Sequence, residues 1–170
     1  MNLDEVIAIK GKDAPVDVIR QLVLIDLPFA DFSGKSRTGQ IVVHKELANE
    51  IKDIFTKIKE TGFPLESMVP ARRSRPKGPT NNTSSFNYRK IIGTDRFSQH
   101  SYGRAIDINP ALNPFFSRHG IVPEGASYDE TRPGTLTEDS PPVRIFESHG
   151  WLWMGRKKEH KDYMHFEKPA

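Results

Sequence analysis

Three residues far apart in the chain have the types that a catalytic metal requires. His100 and Asp107 stand seven positions apart in Ser98-Gln99-His100-Ser101-Tyr102-Gly103-Arg104-Ala105-Ile106-Asp107-Ile108. Asp107 falls in the apolar run Ala105-Ile106-Asp107-Ile108, where an unpaired carboxylate is costly to bury and a cation offsets that cost. Gly103 permits a tight turn after His100, so the strand that follows can aim Asp107 back at the same point. The third donor must come from elsewhere. His165 is the candidate, because a His without a function is little expected in the apolar strand Met164-His165-Phe166. Two His and one Asp on a tetrahedral zinc leave one position open for water, as in a catalytic and not a structural site. His44, His119, His149 and His160 have no companion at ligand spacing and read as surface or satisfied core residues.

Asp162 precedes His165 by three positions. In an ideal strand such a pair faces opposite sides, so Asp162 shares the site only if a turn or bulge intervenes, with Tyr163 at the kink. It would then lie beside the metal without ligating it, where a general base for the attacking water belongs. The alternative is a solvated turn Asp paired with Lys161 or Lys158. Arg89, just upstream in Phe86-Asn87-Tyr88-Arg89, is the electrophile candidate, since a guanidinium holds a carboxylate or a developing oxyanion. Its alternative is a surface cation. Other chemistries are missing. No stretch has the glycine spacing of a phosphate or dinucleotide loop, and no Gly-x-Ser-x-Gly elbow is present. The absence of Cys excludes thiol nucleophiles, disulfides and Cys-based zinc fingers.

These groups need elements to position them. Leu22–Leu27 reads as a buried strand, with a short buried helix as the alternative that periodicity leaves open. Residues 32–39 read as a turn-rich loop, and Ile41-Val42-Val43 as a strand. Over 45–60, Leu47, Ile51, Ile54, Phe55 and Ile58 share one helical face, and Gly62 is placed to end the helix. Asp13-Ala14-Pro15 caps a short helix through Val16, Ile19 and Leu22. Residues 64–69 read as a strand, 71–84 as a polar loop, and 109–139 as a long irregular connection of the kind that is often functional. Ser140-Pro141-Pro142 starts a second helix over 143–149, ended by Gly150. Trp151-Leu152-Trp153 and Met164-His165-Phe166 read as strands around the basic turn 156–161. The mixed order of elements predicts an α+β fold, an antiparallel sheet with flanking helices.

With 170 residues, 36% hydrophobic and 28% charged, the chain suits one domain over 1–170, an N-terminal arm and first strand over 1–40 and a core over 41–168. No run approaches the ~20 apolar residues of a membrane span. Met1–Glu5 shows no basic region followed by an apolar core, so no signal peptide is visible. The net charge of +3 is weakly compatible with an anionic polymer. The Arg72-Arg73-Ser74-Arg75-Pro76-Lys77 run suggests a nuclease or nucleic-acid-binding rival, but it lacks interleaved aromatics for base stacking, and no nucleic acid is expected.

Ser98-x-His100-x-x-Gly103-x-Ala105-x-Asp107, then Trp151-x-Trp153 and Asp162-x-x-His165-Phe166, resembles the zinc D-alanyl-D-alanine carboxypeptidase and L-alanyl-D-glutamate endopeptidase family over roughly residues 40–168. That family cuts peptidoglycan stem peptides, includes phage endolysins, and shares the Hedgehog/DD-peptidase fold. The resemblance implies Zn2+ on His100, Asp107 and His165, Asp162 as catalytic base and Arg89 as carbonyl stabiliser. On this reading Ser98 helps Arg89 and the zinc to hold an oxyanion or a substrate carboxylate, and Arg72, Arg73 and Arg75 meet stem-peptide carboxylates, while Tyr102, Trp151 and Trp153 either line the substrate groove or are core residues. Asp at 162, where the dipeptidases carry Glu, resembles the endopeptidase branch. One departure is Trp153-Met154-Gly155, where that branch usually has Trp-Gly-Gly, which bears on the shape of the substrate groove. The expected activity is L-Ala-D-Glu endopeptidase. The alternatives are a D-Ala-D-Ala carboxypeptidase or dipeptidase and a non-catalytic metal-binding module of the same fold. The expected protein is a monomer. It is exported, periplasmic or wall-associated after loss of a leader, or else the cytoplasmic endolysin of a phage.

Overall fold

A computed structural model describes residues 1–74 and 77–169. In chain order the elements are α1 (Leu3–Lys10), α2 (Val16–Ile19), β1 (Leu22–Ala30), β2 (Ser36–His44), α3 (Ala48–Glu60), β3 (Ala105–Asp107), β4 (Phe115–Ser117), β5 (Gly120–Val122), α4 (Pro141–Ser148), β6 (Leu152–Trp153) and β7 (His165–Glu167). Single 3-10 turns lie at Lys45–Leu47, Gln99–Tyr102 and Met154–Arg156. The chain is therefore mixed α and β with antiparallel pairing, but in three separate sheets where one was expected: β1-β2, β3-β7-β6 and β4-β5.

The β1-β2 hairpin is paired along its whole length, from Leu22↔His44 to Ala30↔Ser36. Residues 36–39, expected in a loop, extend β2. The turn tightens to 31–35, where the Asp31 carboxylate accepts from the Ser33 and Lys35 N–H groups and from the Arg37 guanidinium. A boundary at 40/41 would cut through β2. The apolar face of α3, with Ile51, Ile54, Phe55 and Ile58 all buried, packs across β1 as its periodicity predicts. Leu22 belongs to β1, which shortens the helix after Pro15 to four residues. Residues 64–69 make only isolated bridges, Ala30↔Pro64 and Ser67↔Asn82, and no strand.

The main core gathers around Phe146 of α4. Its ring stacks on Phe166 of β7 at 4.3 Å and meets Trp151 and Phe55 edge-on at 5.2 and 6.1 Å. Burial of each such side chain contributes roughly 1.5–3 kcal/mol, so these contacts fix β7 against both helices. Polar bonds add to the fixing: Glu50 of α3 accepts from the Trp151 indole at 2.7 Å and from Lys168 at 3.0 Å. A second cluster, Val6, Leu22, Val42, Ala71 and Phe86, seals the N-terminal arm onto the hairpin.

The long connection 109–139 carries the β4-β5 hairpin and is otherwise irregular. Two buried amides hold it. Asn109 donates to the Pro64 and Gly134 carbonyls, and Asn113 donates to Ile108, Asn109 and Gly134 while accepting from the Leu136 N–H at 2.6 Å.

Gly103 docks the site-bearing segment onto the hairpin. Its φ is +64°, and a Cβ there would lie 2.5 Å from the His44 nitrogen and 2.7 Å from the Val43 carbonyl carbon. Gly34 has a similar φ of +77° but open space around it. Gly103→Ala is therefore expected to cost roughly 2–5 kcal/mol, combining left-handed strain with overpacking, and Gly34→Ala to meet only the backbone penalty. Thermal melts of the two variants compare them directly, and equal losses would show that the docking at Gly103 does not matter.

Candidate active site

The β3-β7 register creates half of the site. Ile106 and Phe166 are paired and both 0% exposed, so they point into the core. The two-residue period turns their neighbours Asp107 and His165, themselves paired, onto the opposite face. His100 arrives from the 3-10 turn Gln99–Tyr102, which begins at Ser98 and ends at left-handed Gly103. Its Nδ1 donates to the Ser85 carbonyl at 2.6 Å, which leaves Nε2 facing the other two side chains.

The three facing atoms form a nearly equilateral triangle. His100 Nε2 lies 3.1 Å from His165 Nδ1 and 3.2 Å from Asp107 Oδ1, and His165 Nδ1 lies 3.1 Å from Asp107 Oδ1. Donors about 2.0–2.1 Å from a tetrahedral zinc stand roughly 3.3–3.4 Å apart. The triangle is within a few tenths of an ångström of that spacing, and two imidazoles with one carboxylate are donors that suit zinc. His100, Asp107 and His165 are thus brought together as a group that could hold a metal ion.

Without a metal the group is an ion pair in waiting. Burial alone would raise the Asp107 carboxyl, but the charges and hydrogen bonds of His100 and His165 outweigh it and hold Asp107 well below the usual carboxylate range. Burial likewise disfavours charge on His165, yet its bonds to Asp107 and Glu167 raise it well above an ordinary imidazole.

Asp162 reaches the same place by the expected kink. A turn at 163–164 interrupts the strand direction, with the His165 N–H on the Asp162 carbonyl at 3.3 Å. Tyr163 sits in that turn, stacked on Tyr128 at 3.8 Å, while its carbonyl accepts from the Trp153 indole at 2.8 Å. The backbone of Asp162 bridges to Phe115, and its N–H bonds the Met154 carbonyl. The Asp162 Oδ1 is buried and has no hydrogen-bond partner among the described residues. Burial, with the Asp107 charge adding to it, pushes this carboxyl up to about 7 against the opposing pull of His165, Lys157 and Arg89.

The remaining candidates separate. Arg89 is exposed, and its charge is felt at Asp162. Its main chain is pinned between Ser98 and Ser101, through Ser98 N–H on the Arg89 carbonyl at 3.0 Å and Arg89 N–H on the Ser101 hydroxyl at 2.9 Å. Ser98 is buried, and its hydroxyl accepts from the His100 N–H at 3.3 Å, so it caps the turn and is not open to substrate. Trp153 is 4% exposed and is a core residue, as is Trp151, because the indole N–H of each finds its partner inside the protein. Tyr102 is exposed but lines a separate cavity of about 380 Å3 with His44, Gln99 and Arg104, away from the three donors. Met154 is buried and acts through its carbonyl, beneath Asp162. In the basic loop, Arg73 pairs with Glu5 of α1 at 2.9 Å and Arg72 contacts the Ser67 hydroxyl, while Arg75 lies outside the described residues. Two contributors were not expected from sequence. The Ser85 carbonyl is a backbone atom that no side-chain pattern reveals. Glu167, whose Oε2 is 3.1 Å from His165 Nε2, was readable as a same-face neighbour two positions along the strand.

Residues 92–168 match the D-alanyl-D-alanine carboxypeptidase family, and the resemblance seen in the sequence is borne out over that stretch. It includes all three donors and Asp162, and begins just after Arg89. No curated protein and no solved structure matches the chain. The match supports a peptidoglycan peptidase in general and, with the His-Asp-His group, a metallopeptidase. Among the described residues no helix is long and apolar enough to cross a membrane.

Proposed function

We propose that the protein is a zinc endopeptidase that hydrolyses peptidoglycan stem peptides between L-Ala and D-Glu. The observation that carries this reading is the unpartnered, buried oxygen of Asp162 beside the His100-Asp107-His165 triangle. An orphaned buried carboxylate oxygen is costly in a group with only a structural task, whereas a general base has to keep its acceptor free. His100, Asp107 and His165 would hold the zinc, which when bound would supply Lewis-acid polarisation of the scissile carbonyl and lower the pKa of a water toward ~7. Asp162 would accept the proton of the attacking water on its free oxygen and return it to the leaving amine. Arg89, exposed and electrostatically linked to Asp162, holds the carbonyl oxygen or the neighbouring D-Glu carboxylate. The short His165-bearing strand and the His100 turn fit a Hedgehog/DD-peptidase-like arrangement acting as a monomer. Its place of action is the bacterial wall, reached by export or from within an infected cell.

The choice of Asp over Glu at 162 favours the endopeptidase branch. The family description favours a second reading, a D-alanyl-D-alanine carboxypeptidase. Initial rates on a defined muropeptide and on free D-Ala-D-Ala, both with added zinc, separate the two. The expected result is faster cleavage of the muropeptide, with a product ending at L-Ala by mass spectrometry. A better rate on the dipeptide would move the protein to the second reading, and no turnover on either would leave a non-catalytic metal-binding module.

A further inference from the structure

The two histidines turn opposite nitrogens to the centre. His100 offers Nε2 and uses Nδ1–H on the Ser85 carbonyl, at 2.6 Å. His165 offers Nδ1, so its Nε2 points away from the triangle. A neutral imidazole that donates a lone pair from Nδ1 must carry its proton on Nε2, and that proton needs an acceptor of its own. The Glu167 carboxylate lies there, with Oε2 3.1 Å from Nε2.

The strand explains why this acceptor is a side chain. β7 is the central strand of its sheet, flanked by β3 and β6. Its backbone is committed to the two ladders, and Glu167 itself is paired with Ala105 on one side and Leu152 on the other. An acceptor on the site face must therefore come from a residue two positions along, which is where Glu167 stands. The ladders also hold the main chain at 167 whatever the side chain is.

We propose that Glu167 is a positioning residue: it fixes the ring and the tautomer of His165 so that Nδ1 presents its lone pair to the metal. This rests on the reading of His100, Asp107 and His165 as zinc ligands. Carboxylates bonded to a ligating imidazole set its orientation and raise its basicity, and their loss typically weakens metal binding by roughly 10–100-fold. The site then has one histidine oriented by a backbone carbonyl, which mutation cannot remove, and one oriented by a carboxylate, which it can.

The test measures zinc affinity by competition with a chromogenic chelator, together with the absorption spectrum of the cobalt-substituted protein. Wild type, Glu167→Ala, Glu167→Gln and His165→Ala are compared. Glu167→Ala is expected to bind zinc roughly 10–100-fold more weakly, with a shifted cobalt spectrum. Glu167→Gln, whose amide oxygen accepts the same hydrogen bond, is expected to recover most of the affinity and a spectrum close to wild type. A merely structural role would not follow the hydrogen-bond acceptor in this way. Should the alanine protein fail to fold, Glu167→Thr serves instead, being suited to a strand and too short to reach Nε2. Wild-type zinc affinity and cobalt spectrum in the alanine or threonine protein, with zinc lost from His165→Ala, would overturn the role of Glu167 alone. Undiminished zinc binding in His165→Ala would instead overturn the ligand assignment, and Glu167 with it.

Discussion

An Asp162→Ala protein is expected to hold about one zinc per chain and to hydrolyse almost nothing. Asp162 is close to the three donors but is not one of them, and its backbone is held by Met154, Phe115 and His165 without help from the carboxylate. Removing the side chain therefore spares both the metal donors and the kink. It takes away a buried carboxylate oxygen that has no hydrogen-bond partner among the described residues. Loss of a general base costs roughly 10²–10⁴ in rate. Elemental analysis and hydrolysis of a stem peptide, done on the same preparation, check the two halves together. Activity within a few-fold of wild type would remove Asp162 from the chemistry, and loss of zinc would make it a ligand.

His165→Ala should show the reverse linkage, with zinc and activity lost together. The triangle has edges of 3.1, 3.1 and 3.2 Å, and His165 stands on two of them. Its removal leaves one imidazole and one carboxylate, one short of the three protein donors of a catalytic zinc site. Phe166 keeps β7 in the core, so the fold should survive. A thermal melt provides a readout independent of substrate. At a free zinc concentration 100 times Kd, binding stabilises the native state by about 2.7 kcal/mol. For a chain of this size that raises Tm by roughly 5–11 °C. Wild type should show the rise and His165→Ala should not. A zinc-dependent rise of equal size in both would remove His165 from the ligand set.

The parts of this site that were legible in the sequence are those carried by side-chain type and strand period. His100, Asp107 and His165 announced themselves because two are good nitrogen donors and all three lie in or beside apolar segments. The kink that brings Asp162 round was deducible from the i, i+3 conflict with a straight strand. Ser98 and Trp153 show what pattern alone leaves open. A Ser before a turn and a Trp before a basic loop are equally suited to substrate and to structure, and only their hydrogen-bond partners decide. Hairpin length was misjudged for a related reason. Gly39 and its polar neighbours carry a loop composition, but along β1 every one of them finds a cross-strand partner. The single expected sheet became three because the strands around the site are only two or three residues long, and periodicity over so short a run does not specify which strands join.

The docking of Gly103 against the end of β2 bears on how such a site can be moved or borrowed. The chemistry-bearing residues occupy one contiguous half of the chain, yet the His100 ring is oriented by a carbonyl at 85 and the turn that carries it rests on backbone at 43 and 44. Lys168 and Trp151 are anchored to Glu50 in the same way. The segment that matches the family is thus not a self-sufficient cassette. Grafting residues 92–168 into another scaffold would import the donors without the surfaces that aim them, so recombination between relatives should succeed only at crossover points that keep the hairpin and α3 with the histidines they support.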